Sequence, residues 1–114
     1  MGMYNILQEK IACSSCQEKN VVDIQFSFGD TWLFRYKIGD KIRWGGNDKG
    51  IPNLSLVKVY GMAENAICSF CGWENTKEYD IIIQKDIIQT TQPMESYDSY
   101  LSSDNGGDYV ILKK

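Results

Sequence analysis

The chain has 114 residues, 43% of them hydrophobic, and a formal net charge of −3, which fits one folded domain with a modest core and an acidic surface. It contains no histidine, which removes the commonest general base and the Ser-His and Cys-His nucleophile pairs, so we expect no enzymatic activity. No apolar run approaches the ~18 residues that a membrane helix needs, so we expect no membrane association.

The N-terminal half of the chain predicts strands joined by tight turns. A first strand covers residues 4–12 and runs into a Cys-x-x-Cys motif. Residues 21–28 alternate apolar and polar side chains, which is typical of a half-buried strand. Turn residues at Gly29-Asp30 and Gly39-Asp40 predict that residues 21–44 form a three-stranded antiparallel meander.

The following segments also predict β-structure. The glycine-rich residues 45–53 favour an irregular loop, and residues 54–62 form a strand that leads to a second Cys-x-x-Cys motif. A further strand covers residues 77–84, and a bulge at Lys85-Asp86 extends it through Ile87 and Ile88. Since no segment shows a helical period, we predict an all-β fold, either an antiparallel meander or a small barrel-like sheet.

The composition changes near residue 93. Residues 94–108 are rich in Ser, Asp, Tyr and Gly, with a flexible turn predicted over residues 104–108. The apolar residues 109–112 predict a short edge strand for this sheet, for a second copy or for a partner. We therefore divide the chain into a β domain, residues 1–92, and an acidic, partly flexible tail, residues 93–114, whose removal should leave the fold intact.

The four cysteines form two identical Cys-x-x-Cys hooks, one at Cys13 and Cys16 and one at Cys68 and Cys71. Two cysteines three positions apart on a tight turn can aim both sulfurs at one ion, and two hooks complete a tetrahedral set at about 2.3 Å. Such a set has no position left for water or substrate. The spacing therefore predicts one structural Zn²⁺ per chain that staples the β domain.

Iron, disulfide bonds and a redox-active motif are the alternatives to zinc. The N-terminus has no charged segment followed by an apolar stretch of signal-peptide length, so we expect a cytoplasmic chain with reduced thiols. A thioredoxin-like motif would be followed by a helix, which neither residues 17–20 nor residues 73–76 predict.

The two hooks, each beside a β-prone segment, resemble the zinc-ribbon or rubredoxin-like superfamily, in which two knuckles on β-hairpins clamp a metal. The resemblance implies that Cys13, Cys16, Cys68 and Cys71 are the ligands, and it covers only the hooks and their flanks. The chain departs from compact members in its long insertion between the hooks. It also has Gln17 where the second hook has Gly72, at a turn position that often needs positive φ.

The leading functional hypothesis is a non-catalytic zinc-binding module that binds another protein. Because the chain is acidic, a basic partner is favoured, and one version resembles the immunity proteins that neutralise bacterial toxins. The first alternative is a nucleic-acid-binding or transcription-associated zinc ribbon. Its candidate surface interleaves cations with aromatic residues: Trp32, Arg35, Lys37, Lys41, Arg43, Trp44 and Lys49.

A structural explanation competes with nucleic-acid binding. The cations of the candidate surface also fit the solvent-exposed face of a sheet whose aromatic side chains form the core, and Asp40 and Asp48 reduce the local positive charge.

The second alternative is a rubredoxin-like iron electron carrier, for which an acidic surface suits weak docking to a redox partner. The sequence leaves the oligomeric state open.

Overall fold

The computed structural model describes residues 4–64, 66–75, 78–101 and 107–114, and in this part strands dominate, which confirms the all-β fold. One short helix interrupts them. The elements in chain order are β1 (Asn5–Ala12), β2 (Lys19–Phe26), β3 (Gly29–Asp30), β4 (Arg35–Tyr36), β5 (Asp48–Lys49), β6 (Leu56–Glu64), β7 (Ala66–Ile67), β8 (Glu74–Asn75), β9 (Glu78–Gln84), β10 (Ile87–Pro93), α1 (Asp98–Leu101) and β11 (Tyr109–Lys113).

The main sheet has seven strands in the order β10-β9-β6-β2-β1-β4, with β11 paired to β6. Strand β6 is the centre of this sheet: β9 lies along one edge, while β2 and β11 pair with different parts of it. All pairs are antiparallel except β1 with β4. Among the described strands β10 and β4 are the two ends of an open sheet, which does not close into a barrel.

The chain after β4 nevertheless links the two outer strands of the sheet. The Gly39 N–H donates to the Ile88 carbonyl at 2.8 Å, and the Ile88 N–H donates to the Asp40 carbonyl at 3.0 Å. The Thr91 hydroxyl of β10 also donates to the Glu9 carboxylate of β1. The sheet therefore curls until β10 approaches the β1–β4 side.

The predicted three-stranded meander over residues 21–44 is wrong. Strand β2 pairs with β1 and β6, and β4 is only two residues long and lies parallel to β1. Leu33 has a φ of 60°, which interrupts the extended backbone that the meander requires between its two predicted turns. Local turn signals show that a chain reverses, but they do not specify the strand with which it then pairs.

Two shorter predictions are also corrected. Gly29-Asp30 is not a turn but strand β3, which pairs with β5 from the loop predicted to be irregular. Lys85-Asp86 is not a bulge but the two-residue turn between β9 and β10, with φ values of 49° and 67°. Positive φ at both central residues matches the twist of a hairpin, although Lys is an unusual choice there. The register shift in this hairpin lies between Ile88 and Thr90.

The core lies on the inner face of the curled sheet. The alternation predicted for residues 21–28 is confirmed, since Val22, Ile24, Phe26 and Phe28 are buried. Strands β6 and β9 of the same sheet add five more buried side chains to this cluster: Val57, Val59, Tyr79, Ile81 and Ile83. Period-two patterning therefore places these strands correctly.

The C-terminal residues pack on this sheet. Tyr100 of α1 has no exposed surface, and its hydroxyl donates to Asp80 Oδ1 at 2.7 Å. Strand β11 pairs with β6 of its own sheet. Residues 104–106 of the predicted flexible turn and Lys77 lie outside the described residues. The division of the chain after residue 92 stays a prediction.

Within the part of the chain that the structure describes, no helix has the length and apolar character needed to cross a membrane.

Candidate metal centre

The four cysteine sulfurs meet in one cluster. All four Sγ atoms lie within 4.8 Å of one another, and the pairs Cys13–Cys71 and Cys16–Cys68 are 3.6 Å apart. A tetrahedron with metal–sulfur bonds of about 2.3 Å has edges of about 3.8 Å. The spacing of the sulfurs therefore fits one tetrahedral ion. It is too long for a disulfide, which needs about 2.05 Å, and all four thiols are free.

Each pair of cysteines lies in the turn of a β-hairpin. The first knuckle joins β1 to β2, and the second joins β7 to β8. In both knuckles the N–H two residues after the first cysteine points at its sulfur, from Ser15 to Cys13 at 3.3 Å and from Phe70 to Cys68 at 3.4 Å. These backbone donors stabilise thiolates, the form in which cysteine binds a metal.

The two knuckles share one backbone conformation. Gln17 and Gly72, each directly after the second cysteine of its hook, have φ values of 68° and 75°. The same backbone hydrogen bonds close both turns: residue 17 donates to Cys13 and residue 72 to Cys68, each at 2.9 Å. The absence of glycine from the first hook therefore does not change its geometry, because Gln17 adopts the left-handed conformation.

Asn20 connects the two knuckles. This β2 residue donates from Nδ2 to Cys68 Sγ at 3.3 Å, and its Oδ1 accepts from the Ser69 N–H and the Ser69 hydroxyl, each at 3.0 Å. The sequence analysis did not identify Asn20. Its position four residues after Cys16 only weakly indicates a role at the metal centre, because the residues that it contacts lie 48 and 49 positions away in the chain.

The pKa values of Cys16 and Cys68 shift in opposite directions. Desolvation raises the pKa of the Cys68 thiol, but the N–H groups of Cys71 and Phe70, the Asn20 amide and the Cys16 thiol outweigh it and bring the pKa to about 6. The Glu18 backbone lowers the pKa of Cys16, whereas burial and the neighbouring thiols raise it to about 12. The backbone N–H groups and the Asn20 amide therefore favour the thiolate form of Cys68.

The predicted cation–aromatic surface is only partly assembled. Arg35, Lys41 and Arg43 line one cavity of about 250 Å³ together with Tyr36 and Asp40. Arg35 also forms an ion pair with Asp23 at 3.7 Å, and the Arg43 guanidinium lies 4.8 Å from the centre of the Phe34 ring. Lys37 and Lys49 are exposed but are not among the residues that line this cavity.

The two tryptophans of that surface differ in exposure. Trp44 is half-buried, with its ring packed edge-on against Phe28 at a centroid distance of 5.3 Å. Trp32 is 55% exposed. Trp44 is therefore a packing residue, and Trp32 is the tryptophan of this surface that is open to a partner.

A larger, polar cleft lies between the sheet and the C-terminal residues. Its volume is about 660 Å³, and its charged lining consists of Lys58, Asp80, Glu95 and Asp98. The Lys58 ammonium donates to the Ser99 hydroxyl at 2.7 Å. Three carboxylates against one ammonium make this cleft acidic.

No protein-family model matches the chain, no curated protein matches its sequence, and no solved structure matches its fold at a significant level. The likeness to zinc ribbons therefore rests on the two knuckles and their sulfur cluster.

Proposed function

We propose that the chain is a non-catalytic protein-interaction module whose fold is held by one structural Zn²⁺. The observation that carries the proposal is the cluster of four free thiols within 4.8 Å of one another. Four sulfurs satisfy tetrahedral zinc, so water and substrate have no coordination site, and the ion supports folding instead of chemistry. The knuckles' resemblance to the zinc-ribbon superfamily supports the same role, and reduced thiols suit a cytoplasmic location.

A protein partner is supported by an apolar loop. Trp32 and Leu33 are 55% and 49% exposed, side by side in the segment between β3 and β4. Leu33 has a φ of 60°, and a left-handed backbone costs a residue with a Cβ about 1–2 kcal/mol. Such strain tends to be kept at functional sites, and tryptophan is enriched among residues that dominate binding energy.

Buried polar groups hold this loop rigid. Asn5 has no exposed surface; its side chain donates to the carbonyls of Phe28 and Asp30 at 3.0 and 3.2 Å and accepts from the Phe34 N–H at 3.1 Å. The Leu33 N–H donates to the Tyr4 carbonyl at 3.0 Å. Because the loop is ordered before binding, docking Trp32 would cost little conformational entropy.

The acidic cleft supports a more specific proposal, namely that the protein partner is basic. Its carboxylates Asp80, Glu95 and Asp98 match the net charge of −3 in sign. Oppositely charged surfaces steer association and select partners. An immunity protein that neutralises a basic nuclease toxin would fit this description, and the support for it is this charge alone.

Metal analysis of the purified protein tests the first half of the proposal. We expect one zinc per chain by plasma mass spectrometry. Iron in that position would instead indicate the rubredoxin-like electron carrier, and it would colour the protein.

Site-specific photocrosslinking tests the second half. A photoreactive amino acid in place of Trp32 should give one protein adduct in the host cell, and the purified adduct partner should bind the wild-type chain directly. Trp32→Ala should weaken that binding at least tenfold, and Glu95→Lys with Asp98→Lys should weaken it if the partner is basic. Absence of any adduct above background, or binding insensitive to these substitutions, would contradict the proposal.

Nucleic-acid binding is a second candidate, favoured by the grouping of Arg35, Lys41 and Arg43 around one cavity. Fluorescence anisotropy with single-stranded oligonucleotides tests it. Binding that weakens with salt and with Arg43→Ala would support this function, because phosphate contacts release counterions. No binding at low salt would eliminate it.

A further inference from the structure

The second knuckle extends beyond the main sheet, at the end of the paired strands β6 and β9. Strands β7 and β8 form a two-stranded sheet of their own, of two residues each. An isolated hairpin of this size is not stable in water. Its cysteines must nevertheless stay opposite those of the first knuckle for one ion to bind all four. The pairing of β6 with β9 anchors the base of this hairpin, and contacts with the first knuckle have to fix the position of its tip.

Asn20 lies where it can hold the second knuckle opposite the first before a metal binds. Apart from the sulfur–sulfur contacts, its hydrogen bonds are the ones that join the β1–β2 hairpin to the second knuckle within the described residues. The side chain is half-buried, and both of its polar atoms are used. One atom accepts from the backbone after Cys68, and the other donates to the Cys68 sulfur.

The contact with sulfur also has an electrostatic role. Four thiolates around a divalent cation carry a net charge of −2, so each donor aimed at a sulfur stabilises the loaded site. Cys13 receives the Ser15 N–H at 3.3 Å, whereas Cys68 receives the Phe70 N–H at 3.4 Å and, in addition, the Asn20 amide at 3.3 Å. Cys68 is therefore the better-supported ligand of these two.

We infer that Asn20 is a positioning residue of the metal centre: it holds the second knuckle against the first through Ser69 and donates a hydrogen bond to the Cys68 thiolate. This inference rests on the metal-binding half of the proposed function. Outer hydrogen-bond partners of metal ligands typically change metal affinity by 10–100-fold when they are replaced. Asn20 should act within that range.

The test compares Zn²⁺ affinity, measured by competition with a chromophoric chelator, in three variants. Asn20→Ala removes every contact and should weaken Zn²⁺ binding at least tenfold. Asn20→Asp keeps the acceptor for Ser69 but places a carboxylate against the thiolate, so it should weaken binding at least as much. Ser69→Ala removes only the hydroxyl contact and should cost less than threefold.

Cobalt spectroscopy separates the contact with sulfur from a purely structural role. With Co²⁺ bound, the sulfur-to-cobalt charge-transfer band should shift in Asn20→Ala and Asn20→Asp and stay in place in Ser69→Ala. Asn47→Ala is the matched control, since it removes asparagine contacts to Thr31 at 2.9 and 3.3 Å in a loop that contacts neither hook through these bonds. We expect it to lower the melting temperature and leave Zn²⁺ affinity within twofold.

The outcomes are distinguishable. Affinity within twofold of wild type and an unmoved cobalt band in Asn20→Ala would overturn the inference. Equal losses in Asn20→Ala and Ser69→Ala, without a band shift, would overturn the contact with the thiolate. If Asn20→Ala does not fold, Asn20→Asp and Ser69→Ala still provide the comparison. A wild-type chain that binds neither Zn²⁺ nor Co²⁺ would instead overturn the proposed metal site.

Discussion

Gln17 and Gly72 occupy equivalent positions in the two knuckles, and both have left-handed backbones, with φ values of 68° and 75°. Glycine adopts this conformation freely, whereas glutamine does so at a cost. The N–H groups of both residues close their turns onto the first cysteine of the hook. The hydrogen-bonded turn that the two hooks share, and not the residue type, thus accompanies the left-handed backbone at this position.

The first prediction tests that cost. Gly72→Ala should lower the free energy of unfolding of the zinc-loaded protein by about 1–2 kcal/mol through its φ alone, because an added Cβ meets no atom within 4 Å. Gln17→Gly should raise stability by about 1 kcal/mol or less, because about 0.5–1 kcal/mol of backbone entropy offsets part of the relieved strain. Denaturant unfolding measures both changes. Gly39 has a φ of 93° and equally open space but lies far from the cysteines in sequence, so Gly39→Ala is the control and should show the same cost of a positive φ. A Gly72→Ala variant with an unchanged free energy of unfolding would refute the argument.

The second prediction concerns the ligands. Cys13→Ser or Cys68→Ser should lose zinc and lower the free energy of unfolding by more than about 3 kcal/mol, because metal binding contributes directly to folding in small domains. Ser14→Ala, in an exposed position of the same turn, should retain both the metal and the melting temperature. Thermal unfolding with and without a chelator checks the result. A Cys68→Ser protein with the melting temperature of wild type would remove the structural role of the metal.

The third prediction concerns the C-terminal residues. Their composition predicts a dispensable tail, whereas the complete burial of Tyr100 and the pairing of β11 with β6 predict a stabilising one. Tyr100→Ala should cost about 3–5 kcal/mol, by analogy with other large aromatic deletions. Leu101→Ala, at a neighbouring position that is 71% exposed, should cost less than about 0.5 kcal/mol. Equal stabilities of the two variants would show that residues 93–114 contribute little.

The fourth prediction is a loss of stability in alkaline solution. Burial raises the pKa of Tyr36, Tyr60 and Tyr100 above the ordinary tyrosine value. In the unfolded chain these hydroxyls ionise near pH 10, whereas in the folded chain they stay protonated to higher pH. Their contribution is therefore fully present below about pH 10 and is lost as the pH rises above it.

Urea unfolding of the zinc-loaded protein from pH 8 to pH 11 measures this dependence. Tyr100→Phe should flatten the alkaline decline while lowering stability at neutral pH by about 1–3 kcal/mol, because it removes the donor to the buried Asp80. A wild-type protein whose stability does not change across this range would contradict the prediction.

The sequence predicts those parts of the molecule that are specified by residues close together in the chain. Two cysteines at fixed spacing specify each knuckle, and alternation specifies buried residues such as Ile24 and Ile81. Contacts between distant residues have no such signature. The parallel pairing of β1 with β4 depends on a left-handed Leu33, and the role of Asn20 depends on a cysteine 48 residues away.

The hydrogen bonds of residues 39 and 40 with Ile88 should protect the protein from aggregation at high concentration. An outer strand with free N–H and C=O groups is a template for pairing with other molecules. Here both backbone groups of Ile88, in the apolar start of β10, are occupied by the protein's own chain. A variant that releases residues 39–42 would uncover this strand while the rest of the sheet persists, so aggregation should begin before the β-signal in circular dichroism is lost.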